Sequence, residues 1–159
     1  MRHVIIGNGI AGVVAAEAIR SLDDSAHITM IGDETFPPYS HPKISHVLKA
    51  TQPHEKLPIR SETFYDDLNV EALLGQRATG IDVNQRQVVL PDGLRVDFDR
   101  LLIAAGADPR PLEAEGLNLK NIFYMRTEAH AKQQVAALEG ARRAVVLGGG
   151  LVGFKAAYG

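Results

Sequence analysis

One short pattern occurs twice in this chain and constrains its fold more than any other feature. The apolar run His3-Val4-Ile5-Ile6 leads into Gly7-Asn8-Gly9-Ile10-Ala11-Gly12, and near the other end Ala144-Val145-Val146-Leu147 leads into Gly148-Gly149-Gly150-Leu151-Val152-Gly153. Each copy reads as a buried strand, a glycine turn and a helix, the first helix running from Ile10 to about Leu22 and the second opening over Phe154 to Tyr158. Strands that are apolar without alternation are covered on both faces, which is the habit of parallel sheets. A further strand, His27 to Ile31, follows the polar turn Asp23-Asp24-Ser25 and completes one βαβ unit.

Composition removes several alternatives. With 159 residues, 45% hydrophobic and 23% charged, the chain lies in the ordinary globular range. Lys and Arg number 17 against 19 Asp and Glu, a formal net charge of -2, so there is no basic footprint for nucleic acid or an anionic membrane; Arg142-Arg143 is too short to supply one. Cysteine is absent, which excludes disulfides, thiolate nucleophiles and Cys-ligated zinc or iron–sulfur centres from this stretch. Arg2 and His3 before the apolar run Val4 to Ala16 superficially resemble a secretory signal, but Gly7, Asn8, Gly9 and Gly12 break that run. No stretch has the length to cross a bilayer, and the expected compartment is the cytoplasm.

Between the two glycine turns the pattern changes. Phe36-Pro37-Pro38-Tyr39-Ser40-His41-Pro42 excludes regular helix, because each Pro lacks a donor and restricts the residue before it. A short helix is expected from about Lys43 to Lys49, then a loop with Pro53 and Pro58, then a helix start over Ser61 to Asp66 with Ser61 as its cap. Short strands follow at Val70–Leu74, Ala78–Val83, Gln87–Leu90 and Leu94–Phe98, separated by Gly75, Asn84 and the hairpin-like Pro91-Asp92-Gly93. Leu101 to Ala104 reads as another buried strand ending at Gly106, Asp108 to Gly116 as a linker with a domain crossing, and Thr127 to about Leu138 as an alanine-rich helix. By length alone the chain is one domain; the second glycine turn argues for two.

The chemistry rests on the turns. Gly7, Gly9 and Gly12 sit between a strand and a helix, where the first permits the tight turn, the second lets backbone approach a pyrophosphate and the third lets the helix pack close. The helix N-terminus offers unpaired N–H groups to phosphate oxygens. Asp33 and Glu34 follow the second strand, where a carboxylate accepts hydrogen bonds from adenosine ribose hydroxyls; the bland reading is a tight turn with two solvated acids. Gly148, Gly150 and Gly153 fit the same template. Two such turns argue for two adenine dinucleotides, the requirement of a redox flavoprotein that carries one flavin and one nicotinamide. The acid of the second site would lie past Gly159, so NAD and NADP are not separated.

The order of GNGIAG, ITMIGDETFPPYSHP, the strand cluster with PDG, DFDRLLIAAGADPR and VVLGGGLVGFKAAYG resembles the FAD-dependent pyridine nucleotide-disulfide oxidoreductase family, in particular its ferredoxin, rubredoxin and nitrite reductase-like branch. The resemblance covers essentially the whole chain. It implies an α/β fold, a Rossmann-like FAD/NAD(P)-binding domain of three ββα layers with a small antiparallel β insertion. Residues 1–110 would then be an incomplete first segment of an FAD-binding domain, and 111–159 the start of an NAD(P)-binding domain. It implies hydride transfer from NAD(P)H to flavin and electrons passed on to an unidentified acceptor, protein or domain. By position it implies FAD pyrophosphate at Gly7, Gly9, Ile10, Ala11 and Gly12, ribose at Asp33 and Glu34, an adenine contact through the backbone of Ala78, and closure over the cofactor at Ala105, Gly106 and Arg110. Arg110 also suits a phosphate on its own chemistry, although a solvated loop arginine reads equally well.

Several positions depart from the family's pattern. Pro42 stands where disulfide-using branches carry a redox cysteine, which excludes that chemistry there. His41 replaces an Arg, His46 a Lys near the flavin, and Lys155 a Glu just after the second glycine turn. Histidine as a residue type suits flavin semiquinone or hydride steps, so His41 and His46 read either as groups that influence the flavin or, more plainly, as loop and helix-start residues with modest cofactor contact, with Lys43 as an alternative cation and Tyr39 as either a ring-stacking or a loop-anchoring residue. Their spacing of five is poor for a shared metal, and no carboxylate motif completes a metal site. No side chain reads as a general base or nucleophile, so no catalytic residue is assigned. The 159 residues are expected to be inactive alone and to hold FAD weakly, because the resemblance implies that the FAD domain closes with a later segment. The reading from another class is a dinucleotide-binding module without turnover, structural or sensory.

Overall fold

The structure, a computed structural model, describes residues 1–48 and 57–159. In chain order the elements are β1 (Arg2–Ile6), α1 (Ile10–Leu22), β2 (His27–Gly32), a 3-10 turn (His41–Lys43), α2 (Ile44–Leu48), α3 (Phe64–Asp67), β3 (Val70–Leu74), β4 (Gly80–Asp82), β5 (Gln87–Val89), β6 (Arg95–Asp97), β7 (Arg100–Ile103), α4 (Glu128–Leu138) and α5 (Leu151–Tyr158). They divide into two units, Met1–Tyr39 with Pro58–Gly106, and Ser40–Leu57 with Ala107–Gly159.

In the first unit β3, β2, β1 and β7 lie side by side in that order, all parallel, with Val4 opposite Thr29 and Leu101 and Ile28 opposite Val70. Because side chains alternate along a strand, the sheet has two apolar faces. Ile5, Ile28, Met30 and Val70 form one core with Ala16, flanked by Ala15 and Ile19 of α1. Val4 and Ile31, with half-buried Ile6, Leu73 and Leu101, form the other with Val88, Leu90, Phe98 and Val96. That second core is covered by the antiparallel sheet β4-β5-β6. Helix, parallel sheet and small sheet thus make the three ββα layers expected. Ile5, Ile28 and Met30 are fully buried, each contributing about 2–3 kcal/mol by removal from water.

Arginines fasten this unit over long sequence separations. Arg2 binds Asp99 through its backbone N–H at 2.7 Å and its guanidinium at 3.0 Å, and reaches Asp97 at 2.9 Å. Arg20, in the last turn of α1, donates to the carbonyls of Leu68, Asn69 and Asp24 at 2.8, 3.1 and 2.7 Å, closing the α3–β3 turn where Asn69 has φ 47°. Arg60 forks onto the Glu17 carboxylate at 2.6 and 3.0 Å and holds its carboxyl below the usual range.

In the second unit Thr127 caps α4, accepting from the His130 N–H at 3.2 Å while the His130 ring nitrogen accepts from the Thr127 N–H at 3.4 Å. Ala131 is fully buried. No helix of the described residues is long and apolar enough to cross a membrane.

Five expectations from the sequence need correction. Ala144–Leu147 forms no strand: among the described residues the second unit has no other strand to pair with it, and Val145 and Leu147 are exposed. The strand Leu101 to Ala104 is β7, which among the described residues pairs with β1 alone and so forms an edge, with Leu102 and Ile103 exposed rather than buried. Ser61 is not the cap of α3: the helix begins at Phe64, whose N–H binds the Ser61 carbonyl at 3.2 Å, and the Thr63 hydroxyl turns to Asp67 at 2.8 Å. The helix expected from Lys43 starts at Ile44, after a 3-10 turn that admits Pro42 in its first positions; Lys49 and Pro53 lie outside the described residues. Strand β4 is shorter than Ala78–Val83: the ladder to β5 covers Gly80–Asp82, Thr79 adds an N–H bond to the Val89 carbonyl at 2.8 Å, and Ala78 lies half-buried against the sheet-packing core.

The Arg2 contacts hold the Asp99 carboxyl at about 2, its backbone bond to Arg2 contributing most. Folding lowers this group from a free value of about 3.9, so its contribution is whole above that value and is lost as pH falls through about 2. Measured by circular dichroism across acid unfolding, Asp99→Asn is expected to flatten the loss of stability between about pH 4 and 2 relative to the unaltered chain.

Candidate functional site

The first glycine turn leaves the C-terminal end of β1 in the middle of the sheet. Gly7 has φ +112°, a conformation that L side chains rarely adopt, and its N–H donates to the Ile31 carbonyl of β2 at 2.7 Å. On the other side the Ala104 N–H, just after β7, donates to the Ile6 carbonyl at 2.7 Å, and a Cβ on Gly7 would strike the Ala104 carbonyl. A Cβ on Gly12 would fall on the Gly7 carbonyl oxygen and press on Ile5, so α1 packs as close as it does because residue 12 has no side chain. Gly9 is extended at the N-cap of α1 and no side chain caps the helix. Ile10 and Ala11 in its first turn are exposed. The first N–H groups of α1 therefore have no side-chain acceptor and point out past the strand ends.

Acidic residues lie beside this turn. Asp33 is exposed after β2, with the Arg77 guanidinium 3.4 Å from one carboxylate oxygen. Glu34 is half-buried and accepts from the Tyr39 hydroxyl at 2.9 and 3.1 Å. The Asn8 amide donates to the Phe36 carbonyl at 3.2 Å and ties the turn to the acid loop. Nearby, burial pushes the Tyr65 phenol up, with the Asn8 side chain acting in the opposite direction.

The structure thus gathers Gly7, Gly9, Ile10, Ala11, Gly12, Asp33, Glu34, Ala105 and Gly106 at the carboxyl ends of β1, β2 and β7. Ala78 is half-buried against the sheet-packing core. Reading the sequence missed the roles of Asn8 and Arg77, and named Tyr39 as a ring-stacking or loop-anchoring residue without its bond to Glu34; the Asn in the glycine turn was the available signal.

The remaining candidates belong to the second unit. Its glycine turn repeats the first closely: Gly148 has φ +111°, Gly150 is extended at the N-cap of α5, and a Cβ on Gly153 would fall on the Gly148 carbonyl oxygen. The Phe154 N–H reaches the Gly150 carbonyl at 3.0 Å just as the Val13 N–H reaches that of Gly9 at 3.0 Å. Nothing lies within 4 Å of a Cβ placed on Gly150. His41 in the 3-10 turn, His46 in α2 and Arg110 are exposed, and Lys155 extends its ammonium to the Pro42 carbonyl at 3.4 Å. Arg126 pairs with Asp108. Among the described residues no three His, Asp or Glu groups are placed to hold a metal ion.

A family model described as pyridine nucleotide-disulphide oxidoreductase matches residues 1–158. Rhodocoxin reductase of Rhodococcus erythropolis is 34% identical over 158 residues, 99% of this chain and 37% of that protein. Rubredoxin-NAD(+) reductase of Pseudomonas putida is 33% identical over 158 residues, 99% of this chain and 41% of that protein. The crystal structure of a ferredoxin reductase from Rhodopseudomonas palustris matches with a TM-score of 0.91 at 29% identity, over 98% of this chain and 39% of that one. The chain spans less than half the length of each of these relatives.

The two turns share a backbone but not a setting, which separates their tolerance of a methyl group. Gly7→Ala meets both a strained φ and the Ala104 backbone, whereas Gly148→Ala meets the φ alone, with nothing within 4 Å. By thermal unfolding, Gly7→Ala is expected to cost about 2–4 kcal/mol and Gly148→Ala about 1 kcal/mol.

Proposed function

Since the chain belongs to the pyridine nucleotide-disulphide oxidoreductase family, we propose that it forms part of an FAD-dependent NAD(P)H oxidoreductase that passes electrons to a small redox protein. The observation that carries this is the meeting of Gly7–Gly12, Asp33, Glu34 and Ala104–Ala105 at the carboxyl ends of β1, β2 and β7. The strand order reverses at β1: the chain moves from it to β2 and β3 on one side and returns to β7 on the other. Crevices at such switch points are where open parallel sheets bind their ligands.

The residues present fit an ADP moiety. The glycine turn brings backbone N–H groups of α1 to the place of a pyrophosphate, with the helix dipole favouring negative charge. The acid loop supplies an acceptor for ribose hydroxyls, and Ala105 and Gly106 border the turn from the β7 side. FAD, when bound, supplies the chemistry of accepting hydride from a nicotinamide and releasing electrons to an acceptor. The second turn, with Gly148, Gly150 and Gly153, offers the same cradle to the nicotinamide dinucleotide. Residues 141–159 contain Arg142, Arg143 and Lys155 and no acid, a local charge that suits its phosphates. The names of the relatives, rubredoxin and ferredoxin reductases among them, support an electron-transfer protein as the acceptor.

In the intact protein loaded with FAD, anaerobic addition of NADH or NADPH is expected to bleach the visible flavin band within the mixing time or seconds. A bound flavin that stays oxidised with both nucleotides would overturn the oxidoreductase reading and leave a dinucleotide-binding module without turnover.

A further inference from the structure

Gly32, the last residue of β2, is buried and is not among the glycines with positive φ, so its backbone conformation does not call for glycine. Its neighbour does. A Cβ on Gly32 would lie 2.9 Å from the Asn8 Cγ, 3.0 Å from its Oδ1 and 3.3 Å from its Nδ2, and these are the three nearest atoms it would meet. The amide carried inside the glycine turn therefore covers the end of β2, in the place where another residue would have a side chain. From that seat its Nδ2 donates to the Phe36 carbonyl at 3.2 Å, 28 residues away in the chain. The buried Tyr65 hydroxyl of α3 is near enough for Asn8 to lower its phenol against the effect of burial. The acid loop between Gly32 and Phe36 has a second support in the segment after β3: the Gly75 N–H donates to the Glu34 carbonyl at 3.2 Å and the Gln76 N–H to the Gly32 carbonyl at 2.9 Å.

We propose that Asn8 is a positioning residue: its amide, seated in the space left by Gly32, couples the phosphate turn to the acid loop and fixes how far apart the two halves of the nucleotide site stand. Asn8 lies between Gly7 and Gly9, so a displacement of the turn is passed through the amide to the Phe36 carbonyl and the loop behind it. Asn8 and Gly32 are then one device, since the amide has no seat if residue 32 carries a Cβ. A neutral donor suits the position, because a carboxylate would have no proton for the Phe36 carbonyl and would set a negative charge beside bound phosphates. The proposal rests on the reading of the first turn as an ADP-binding site.

Two readouts test it, the first without a ligand. Gly32→Ala presses a methyl group into the Asn8 amide and is expected to lower the thermal midpoint by about 3–6 °C. In an Asn8→Ala background that obstacle is gone, and the same substitution is expected to cost less than about 1 °C. Titrations followed by NMR then compare ADP, which on the proposed reading spans turn and loop, with inorganic pyrophosphate, which fills the turn alone. Asn8→Ala is expected to lower the ratio of ADP to pyrophosphate affinity by about 3–10-fold for one lost hydrogen bond. Gly32→Ala is expected to lower it similarly, and the double variant no further than either single, because both remove the same contact. A merely structural role would lower the midpoint and leave the ratio where it was. An unchanged ratio in Asn8→Ala, or a cost of Gly32→Ala that persists without the Asn8 amide, would overturn the proposal while leaving the ADP reading intact. An unaltered chain that binds neither ligand would overturn the ADP reading, and the proposal with it.

Discussion

The Gly7 carbonyl oxygen occupies the space where any other residue at position 12 would carry a Cβ, and the geometry of the first unit follows from that approach. It lets α1 lie against the end of β1, which aims the first N–H groups of the helix past the strand ends instead of into the core. It also keeps the turn short enough for Gly7 to stay in register with β2 through the Ile31 carbonyl while Ala104 binds back to Ile6. The strand carrying this turn is interior to the sheet, between β2 and β7. The most constrained backbone of the unit therefore sits at the point where the sheet opens a crevice. The same approach of Gly153 to the Gly148 carbonyl recurs in the second unit, so one local solution serves two places in the chain.

What was legible in the sequence is what is local. The run His3–Ile6 and the glycine spacing each declare themselves within a few residues, and the α1 boundaries, Ile10 and Leu22, agree with expectation. Strands are less local. Ala144–Leu147 has the composition of a buried strand but no ladder, since apolar residues alone supply no hydrogen-bonding neighbour. Leu101 to Ala104 has the same composition and finds a partner on one side only. The arginine fasteners were not legible at all: Arg2 with Asp99, Arg20 with Leu68 and Arg60 with Glu17 join residues dozens of positions apart, and nothing near each arginine marks its partner. Tyr39 was visible as an anchor or a ring partner, yet its bond to Glu34 depends on how the proline-rich loop turns back.

The charge in the first unit is divided by role. Of the carboxyls held below their usual range, Asp99 and Glu17 are bound by Arg2 and Arg60 and fasten the scaffold, while Asp23 is held by the hydroxyl and N–H of Ser25 in the turn after α1. The strand ends carry instead a backbone cradle and an acid pair, which on the proposed function hold and orient a dinucleotide whose own chemistry does the work. That division accounts for the absence of a nucleophile or general base in the reading of the sequence. The departures His41, His46 and Lys155 belong to the second unit.

The claim on which the account turns is that ligand binds at the ends of β1 and β2. Mapping amide chemical-shift changes on the chain during titration with ADP tests it most directly. The account predicts the largest changes at Gly7, Asn8, Gly9, Ile10 and Asp33. Changes concentrated instead at the opposite ends of the strands, in the cleft lined by Arg2, His27, Glu71 and Arg95, would contradict it.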